Sequence, residues 1–352
     1  MQSAHSASSD SFAISNPDRA FVRRAMFTLV IILAIFALLI IIIAAGLGID
    51  FGPVVASLMM LSLWTGLAVA AIAHIVSFVT PGLWRLDVRA PWLIIAILAT
   101  GITMPLFELF KQRILPIRGF PLDPAIAGFE RFLFFGNDAW MLSHAAFGSV
   151  STTLFIDRVY GFWLPMMFAF PVVVVMAARD IGLRARLLGC WLMSWVFVAG
   201  LGAWVFGSAG PCYYTQLVGP DQGFSALNAR LAALGAEAHA KGQVIAAIDF
   251  QAMLLNGQSA TELLPAGGIS AMPSMHVAMA VLFAIAGFQF GRVWGVILSG
   301  YALLIWIGSI HLGWHYATDG IVGAAMMITL WRVSGKYLDV QMIASPTPNR
   351  AV

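Results

Sequence analysis

Three residues in the second half of the chain have types and spacing suited to proton transfer and nucleophilic catalysis. His315 and Asp319 lie four positions apart, one helical turn, in the segment His-Tyr-Ala-Thr-Asp-Gly. A carboxylate at that distance can accept a hydrogen bond from one imidazole nitrogen and leave the other lone pair free. His276 is the third residue, and it closes the segment Pro-Ser-Met-His. Together they predict a nucleophile or base, its orienting acid and a second histidine for proton transfer.

The residues before His276 are typical of a helix start. Pro273 and Ser274 suit the first turn and the N-cap. A helix N-terminus binds anions such as phosphate, because its first N–H groups, here those around Met275 and His276, lack helical partners. The Ser274 hydroxyl can add a donor. An ordinary helix start beside an interfacial histidine would have the same residues. This motif alone therefore does not distinguish a phosphate site from a structural helix start.

The even spacing of His311, His315 and Asp319 also allows a metal site. Three ligands four positions apart would share one face of a continuous helix. The pair Gly313-Trp314 between the histidines favours a break between two helices instead. Spacing leaves both arrangements open.

The elements that must position these residues are membrane helices. Of 352 residues, 61% are hydrophobic and 10% are charged, in apolar stretches of about 20 residues that suit helices crossing about 30 Å of hydrocarbon. The predicted fold class is an all-α integral membrane protein with about eight transmembrane helices. The spans fall at about 25–45, 54–79, 93–111, 159–178, 187–206, 270–290, 293–312 and 316–334.

The arginines indicate how these spans face. If the N-terminus is cytoplasmic, Arg85 and Arg89 lie in one inner loop and Arg179, Arg184 and Arg186 in another, as the positive-inside rule requires. Both termini are then cytoplasmic, and the chemically interesting histidines lie at the outer surface. We expect a bacterial inner membrane protein whose site faces the periplasm. Its basic residues are scattered singly, which argues against a nucleic-acid partner.

The chain divides into four predicted regions. Residues 1–24 are a disordered tail, 25–92 hold two N-terminal spans, 93–335 form the catalytic membrane domain and 336–352 are a second tail. Two outer segments, 112–158 and 207–268, are too long for turns, and their aromatic and amphipathic stretches predict interfacial helices. One such helix is expected around 227–240.

The two histidine segments carry a resemblance to a known family. Pro-Ser-Met-His, followed about 35 residues later by Gly-Trp-His-Tyr-Ala-Thr-Asp-Gly, resembles the second and third signature motifs of the type-2 phosphatidic acid phosphatase superfamily. The branch that includes inositol phosphorylceramide synthases is the most similar. The resemblance implies a six-helix core in which His315 attacks phosphorus and becomes a phosphohistidine. Asp319 would orient it, and His276 would protonate the leaving alkoxide and then deprotonate the acceptor. Ser274, with the N–H groups around Met275, would hold the phosphoryl oxygens.

The chain departs from the family pattern at its cations. The first motif, Lys-x6-Arg-Pro, is replaced by a neutral stretch that includes Gly210, Pro211 and Tyr213, and the usual Ser-Arg of the third motif is Gly308-Ser309. The synthase-like branch has a similar Gly-Pro-aromatic stretch, so those three residues are expected at the substrate. Other donors must then neutralise the phosphoryl group. The candidates are Lys111, Arg113, Arg131, Arg158 and protonated His311.

These observations predict metal-independent phosphoryl or phospho-headgroup transfer from a lipid phosphate or phospholipid donor, with no cofactor. The acceptor is expected to be a lipid or polyol alcohol, as in a sphingolipid or glycerolipid headgroup phosphotransferase. The alternative is a lipid phosphate phosphatase that uses water to hydrolyse phosphatidic acid or an isoprenyl phosphate. A metal-dependent enzyme and a transporter with Asp319 and His74 on a proton path are the remaining alternatives. The transporter is disfavoured because the polar residues cluster at one surface and no repeat is visible.

Overall fold

The computed structural model describes residues 16–50, 52–79, 86–178, 180–259, 263–264 and 266–343, and these residues contain no β-strand. The predicted all-α class is therefore confirmed. In chain order the helices are α1 Asn16–Leu47, α2 Gly52–Val79, α3 Leu86–Leu109, α4 Leu115–Arg118, α5 Asp123–Leu133, α6 Ala139–Phe147, α7 Val150–Gly161, α8 Trp163–Ala177, α9 Ile181–Ser194, α10 Ala203–Phe206, α11 Phe224–Ala240, α12 Ala246–Asn256, α13 Met275–Phe290, α14 Arg292–His311 and α15 Ala317–Ile343. π-helical segments, Phe110–Ile114 and Trp195–Gly202, follow α3 and α9.

Helices occupy all eight predicted span positions. Within the described chain, five segments are long and apolar enough to cross a bilayer: Arg23–Leu47, Pro91–Arg118, Val150–Ala177, Ile181–Phe206 and Arg292–His311. Two shorter apolar helices, Val55–Val69 and Met275–Phe290, lie at the second and sixth positions, and α15 lies at the eighth. The protein is an integral membrane protein built from these helices.

Several helix ends differ from the sequence-based boundaries. Helix α1 begins at Asn16, inside the expected tail, where Pro17 suits a first turn. The span predicted from residue 159 begins at Val150 instead, because Ser149 caps α7 by accepting the Thr152 N–H at 3.2 Å. Polar residues in α7 had lowered the hydropathy there. Helix α15 continues to Ile343.

Some of the predictions fall outside the described residues. These are the tail up to residue 15, the chain end from residue 344, the inner-loop residues Arg85 and Arg179, and the side chains of His74 and Arg89.

The two long segments predicted to lie on the outer side, 112–158 and 207–268, contain helices, as expected. Residues 112–158 contain α4, α5, α6 and the start of α7, and the amphipathic helix expected at 227–240 is α11. Helix α5 has one buried face with Asp123 and Glu130 and one exposed face with Phe129 and Phe132. A helix with this division lies with its polar buried face toward the bundle and its aromatic face toward lipid.

Helix α13 lies at the centre of the bundle, where it packs against α8, α9, α14 and α15. It is apolar on all sides, as a fully surrounded helix must be. Small residues such as Ala278, Ala280 and Gly287 are buried in it, and small side chains let neighbouring membrane helices approach closely. The start of α13, the end of α14 and the start of α15 meet at one end of the bundle. We call this the histidine end.

Candidate active site

His315 and Asp319 are paired at the start of α15. The His315 Nδ1 atom lies 3.3 Å from Asp319 Oδ2, which also accepts the Tyr316 N–H at 3.0 Å. Both side chains are buried, and Asp319 Oδ1 has no hydrogen-bond partner. With its proton on Nδ1, the imidazole carries its free lone pair on Nε2. This is the orientation that a histidine nucleophile requires.

The short loop between α14 and α15 fixes the position of this pair. Gly313 has φ of 76°, a left-handed conformation that glycine adopts without strain and that ends α14. Its carbonyl accepts the Cys212 N–H at 2.9 Å, and the His315 N–H donates to the Ser309 carbonyl at 3.1 Å. The break expected at Gly313-Trp314 is therefore present.

His276 lies in the first turn of α13, opposite His315. The two ring centroids are 5.9 Å apart. The His276 ring stacks on Tyr160 at 4.7 Å and packs against Trp163 at 4.1 Å, and Trp163 Nε1 donates to the His276 carbonyl at 3.0 Å. Two aromatic residues on consecutive helices thus hold this half-buried histidine, and a phosphorus atom placed between the two imidazoles would lie within reach of both.

Ser274 is the N-cap of α13, as predicted, and it also joins α13 to α15. Its Oγ accepts the Val277 N–H at 3.4 Å, and its own N–H donates to the Asp319 carbonyl at 3.0 Å. A Cβ on Gly323 would lie 2.4 Å from the Ser274 carbonyl oxygen, so only glycine allows α15 to pass this close. The first N–H groups of a helix lack helical partners, so those of Met275 and His276 can donate to an anion at the start of α13.

Lys111 is the basic candidate that acts on both histidines electrostatically. Burial, followed by the Lys111 ammonium, lowers the pKa of His315 to about 3, while the Ala271 carbonyl acts in the opposite direction. A Cβ on Gly268 would meet the Lys111 Cγ atom at 2.8 Å, so the Gly-rich segment before α13 packs on this side chain. Glu108 is an electrostatic partner of Lys111. His315 is therefore neutral at physiological pH, as a nucleophile must be.

The neutral stretch that replaces the family's first motif packs directly behind the His315 loop. A Cβ on Gly210 would lie 2.6 Å from the Trp314 carbonyl oxygen, and Gly210 has φ of 95°. Pro211 is buried in the following turn. The Tyr213 hydroxyl donates to the Gln251 carbonyl at 3.3 Å, on α12. Gly210 thus supports the loop through its backbone, whereas the hydroxyl of Tyr213 is used in packing α12.

Asp123 was not identified from the sequence, yet its carboxylate joins three segments at the histidine end. The fully buried side chain accepts four hydrogen bonds, from Ser208 Oγ at 3.1 Å, Ala209 N at 2.8 Å, Gly210 N at 3.0 Å and the Tyr316 hydroxyl at 3.0 Å. Burial raises its pKa, and the hydrogen bonds oppose that shift. An internal anion therefore occupies the N–H groups of the loop that replaces the first motif.

Glu130 was also missed, and it caps the start of α15. Its Oε2 accepts the Ala317 N–H, and Oε1 accepts the Ala139 N–H at 3.4 Å. Burial raises its pKa to about 7, and the charge of Asp319 acts in the same direction. Asp123 and Glu130 are seven residues apart, which places them on one helix face. That spacing was the available signal.

Two of the other basic candidates have partners away from the histidines. Arg131 pairs with Asp138, with Nε to Oδ1 at 2.7 Å, and lies over the Phe224 ring. Arg158 is exposed and donates to Gln243 at 3.2 Å. The third candidate, Arg113, lies two residues beyond Lys111 in the same π-helical segment.

His311 lies in a separate cluster. Its Nε2 is 2.9 Å from Thr153 Oγ1, and its ring stacks on that of His144 at 4.0 Å. It therefore does not share a face with His315 and Asp319. Among the described residues, no group of three His, Cys, Asp or Glu side chains is placed to hold a metal ion.

Comparison with known proteins gives one match. A family model described as the PAP2 superfamily matches residues 124–333. This segment contains both histidines, Asp319 and Glu130, whereas Lys111 lies before it. Among curated proteins and among solved structures, none matches the chain.

Proposed function

Because the chain belongs to the PAP2 superfamily, whose model covers more than half of its length, we propose that it transfers a phosphoryl or phospho-headgroup from a lipid donor through a phosphohistidine. Family membership supports phosphatase or phosphotransfer chemistry in general. The observation that carries the finer proposal is the opposed pair of imidazoles, 5.9 Å apart, with Asp319 hydrogen-bonded to one of them.

The first half-reaction forms the covalent intermediate. His315 Nε2 attacks phosphorus, and the bond from phosphorus to the leaving alkoxide breaks as His276 gives that oxygen a proton. Asp319 keeps the proton on His315 Nδ1 and balances the positive charge that develops on the ring. Tyr160 and Trp163 keep the His276 ring facing the leaving group.

The second half-reaction releases the intermediate. The neutral His276 formed in the first step takes a proton from the acceptor hydroxyl, whose oxygen attacks phosphorus and breaks the bond to His315 Nε2. His276 is then protonated again, and His315 is free. Ser274 and the first N–H groups of α13 donate to the phosphoryl oxygens throughout.

The charge of the site favours a phosphodiester donor and an alcohol acceptor. Lys111 is the basic residue whose charge acts electrostatically on both histidines. The N–H groups of the loop that replaces the first motif donate to Asp123 and so do not neutralise a phosphate. A monoester carries up to two negative charges, and each uncompensated charge near a low dielectric is costly. We therefore favour a headgroup phosphotransferase of the inositol phosphorylceramide synthase-like branch.

A lipid phosphatase acting on phosphatidic acid or an isoprenyl phosphate is the second candidate, and Lys111 favours it. Its ammonium restores part of the charge that the missing motif residues would supply. The two candidates differ in the donor, which is a phosphate monoester for the phosphatase and a phosphodiester for the transferase, and in whether water or an alcohol attacks the phosphohistidine.

We also propose a topology and a domain division. The histidine end faces the periplasm of a bacterial inner membrane, and both termini lie in the cytoplasm, because Arg184, Arg186 and Arg292 lie at the opposite ends of α9 and α14. The catalytic domain is residues 93–335, preceded by two additional spans.

An activity panel with matched variants tests the function. Purified protein is given phosphatidylinositol, phosphatidic acid and isoprenyl phosphate donors, with and without ceramide or diacylglycerol, and free phosphate and new lipids are measured by mass. We expect a new phospholipid that depends on the added alcohol and is abolished in His315→Ala. Rapid phosphate release without any new lipid would favour the phosphatase. No turnover of any donor by folded protein would refute both.

A further inference from the structure

An apolar groove of about 420 Å³ runs between α5 and α15 at the histidine end. Ala125, Phe129 and Leu133 line it from α5, and Ile321 and Val322 line it from α15. Its lining surface is almost entirely nonpolar. None of the residues assigned above to the chemistry or to phosphate binding lines it, so the groove is a separate feature of the fold.

One end of the groove reaches the active-site segments. Thr318, which directly precedes Asp319, and Met272, two residues before Ser274, both line it. The groove therefore runs up to the segments that carry Asp319 and Ser274.

The other side of the groove is open to the surface. Phe129, Leu133 and Ile321 are 55%, 41% and 53% exposed, although they are large apolar side chains. In a membrane protein such a surface faces hydrocarbon, so an occupant can enter from the bilayer without crossing water. The opposite face of α5 carries Asp123 and Glu130, which fix this helix against the active-site loops.

We propose that this groove binds one hydrocarbon chain of the lipid donor and thereby places the donor's phosphate between the two histidines. The inference rests on the proposed function. A volume of about 420 Å³ lies within the range of about 300–1,000 Å³ that is usual for ligand pockets, so it is large enough for one hydrocarbon chain. Because lipid and groove are both apolar, the groove positions the donor more than it adds affinity.

Photo-crosslinking tests the occupant without requiring turnover. Protein in phosphatidylcholine nanodiscs is irradiated with phosphatidylinositol that carries a diazirine in the middle of one acyl chain, and labelled peptides are mapped by mass spectrometry. We expect labels concentrated on residues 122–133 and 318–322, removed by excess unlabelled phosphatidylinositol. Labels spread over the lipid-facing helices, or labels that the competitor leaves in place, would overturn the proposal, because the groove would then hold ordinary bilayer lipid.

Two matched variants sharpen the test. Ala125→Trp fills the groove from its exposed side, and Ala325→Trp puts the same side chain on an exposed position of α15 that does not line the groove. We expect labelling to fall at least about tenfold in the first, because the indole ring would occupy the space of the chain and weaken its binding, and to persist in the second. Equal labelling in both folded variants would contradict the proposal. The map of the parent protein decides the question even if Ala125→Trp fails to fold.

The two proposals can fail separately. Specific labelling of the groove in a protein that turns over no lipid donor would leave the chain site standing and remove the proposed function. Turnover of lipid donors with unspecific labelling would do the reverse.

Discussion

Replacing Asp123 is expected to destabilise the protein and slow its reaction together, because one carboxylate connects the two loops that support His315. Its four donors are two backbone N–H groups and the hydroxyls of Ser208 and Tyr316, and the side chain is fully buried. A hydroxyl can turn toward another acceptor, whereas a backbone N–H cannot.

The magnitude follows from this hydrogen-bond set. A buried donor left without a partner costs about 1–3 kcal/mol. Asp123→Ala leaves the N–H groups of Ala209 and Gly210 unpaired and should lower the free energy of unfolding by about 2–6 kcal/mol. Asp123→Asn keeps one oxygen but turns an NH₂ group toward a donor, so about 1–3 kcal/mol is expected. Either substitution also removes a buried carboxylate, whose desolvation costs free energy on folding. This gain offsets part of the loss of stability in both variants.

Replacing Asp123 is expected to slow catalysis by changing the position of His315. Gly210 packs on the Trp314 carbonyl, and the Tyr316 hydroxyl is bound to Asp123, so a shifted loop moves His315 relative to His276. A displacement of about 1 Å at reacting atoms can cost about a hundredfold in rate. We expect kcat to fall at least about tenfold in Asp123→Asn, while the concentration of donor at half-maximal rate changes little.

The assay combines thermal unfolding of the detergent-solubilised protein with initial rates on the best lipid donor. Asp249→Asn is the control, since it makes the same substitution at an exposed position of α12. If Asp123→Ala melts at the temperature of Asp249→Asn and keeps its rate, the Asp123 carboxylate does not stabilise these loops. Melting at lower temperature with an unchanged rate in the folded protein would refute only the positioning role.

Three further predictions concern charge, pH and metals. Lys111→Met should lower kcat/KM about a hundredfold, as the loss of one strong transition-state donor does, whereas Lys111→Arg and the surface variant Arg158→Gln should stay close to the parent. Burial raises the pKa of Glu130 from 4.5 to about 7, so its contribution to stability is full below pH 4.5 and is lost as the pH rises to about 7. The melting temperature of the parent should therefore fall more than that of Glu130→Gln across this range, by the equivalent of at most about 3 kcal/mol. Prolonged chelation should leave the rate unchanged, and loss of activity restored by zinc would contradict metal-independent chemistry.

The parts of the fold that the sequence predicted well depend on local signals. Ser274 marked the start of α13 as its N-cap, although Pro273 lies before the cap and not in the first turn, and Gly313 marked the break before α15, because capping and left-handed turns depend on a few adjacent residues. The pairing of His315 with Asp319 followed from helical spacing. Apolar length located the spans.

The parts that the sequence did not predict depend on distant partners. Asp123 is bound by residues 85 to 193 positions away, and the partner of Glu130 on α15 is 187 positions away. The early start of α7 was missed because Thr153 and Asp157 are polar and lower the mean hydropathy there. Their partners are also far away in the sequence: Thr153 contacts His311, and Asp157 accepts from the N-terminus of α12. Composition could not distinguish Lys111 from the arginines, because its position against the Gly-rich segment before α13 is set by tertiary packing.

Direct detection of the phosphohistidine tests the central claim. Purified protein is mixed with labelled donor in the absence of an alcohol acceptor and quenched with base within the first turnover, and the peptide that contains His315 is examined by mass spectrometry. We predict one phosphoryl or phospho-headgroup adduct on His315 that is stable to base and labile to acid, absent from His315→Ala, and lost when the acceptor is added before the quench. Turnover by the parent without any adduct on His315, or activity of His315→Ala within about tenfold of the parent, would contradict it.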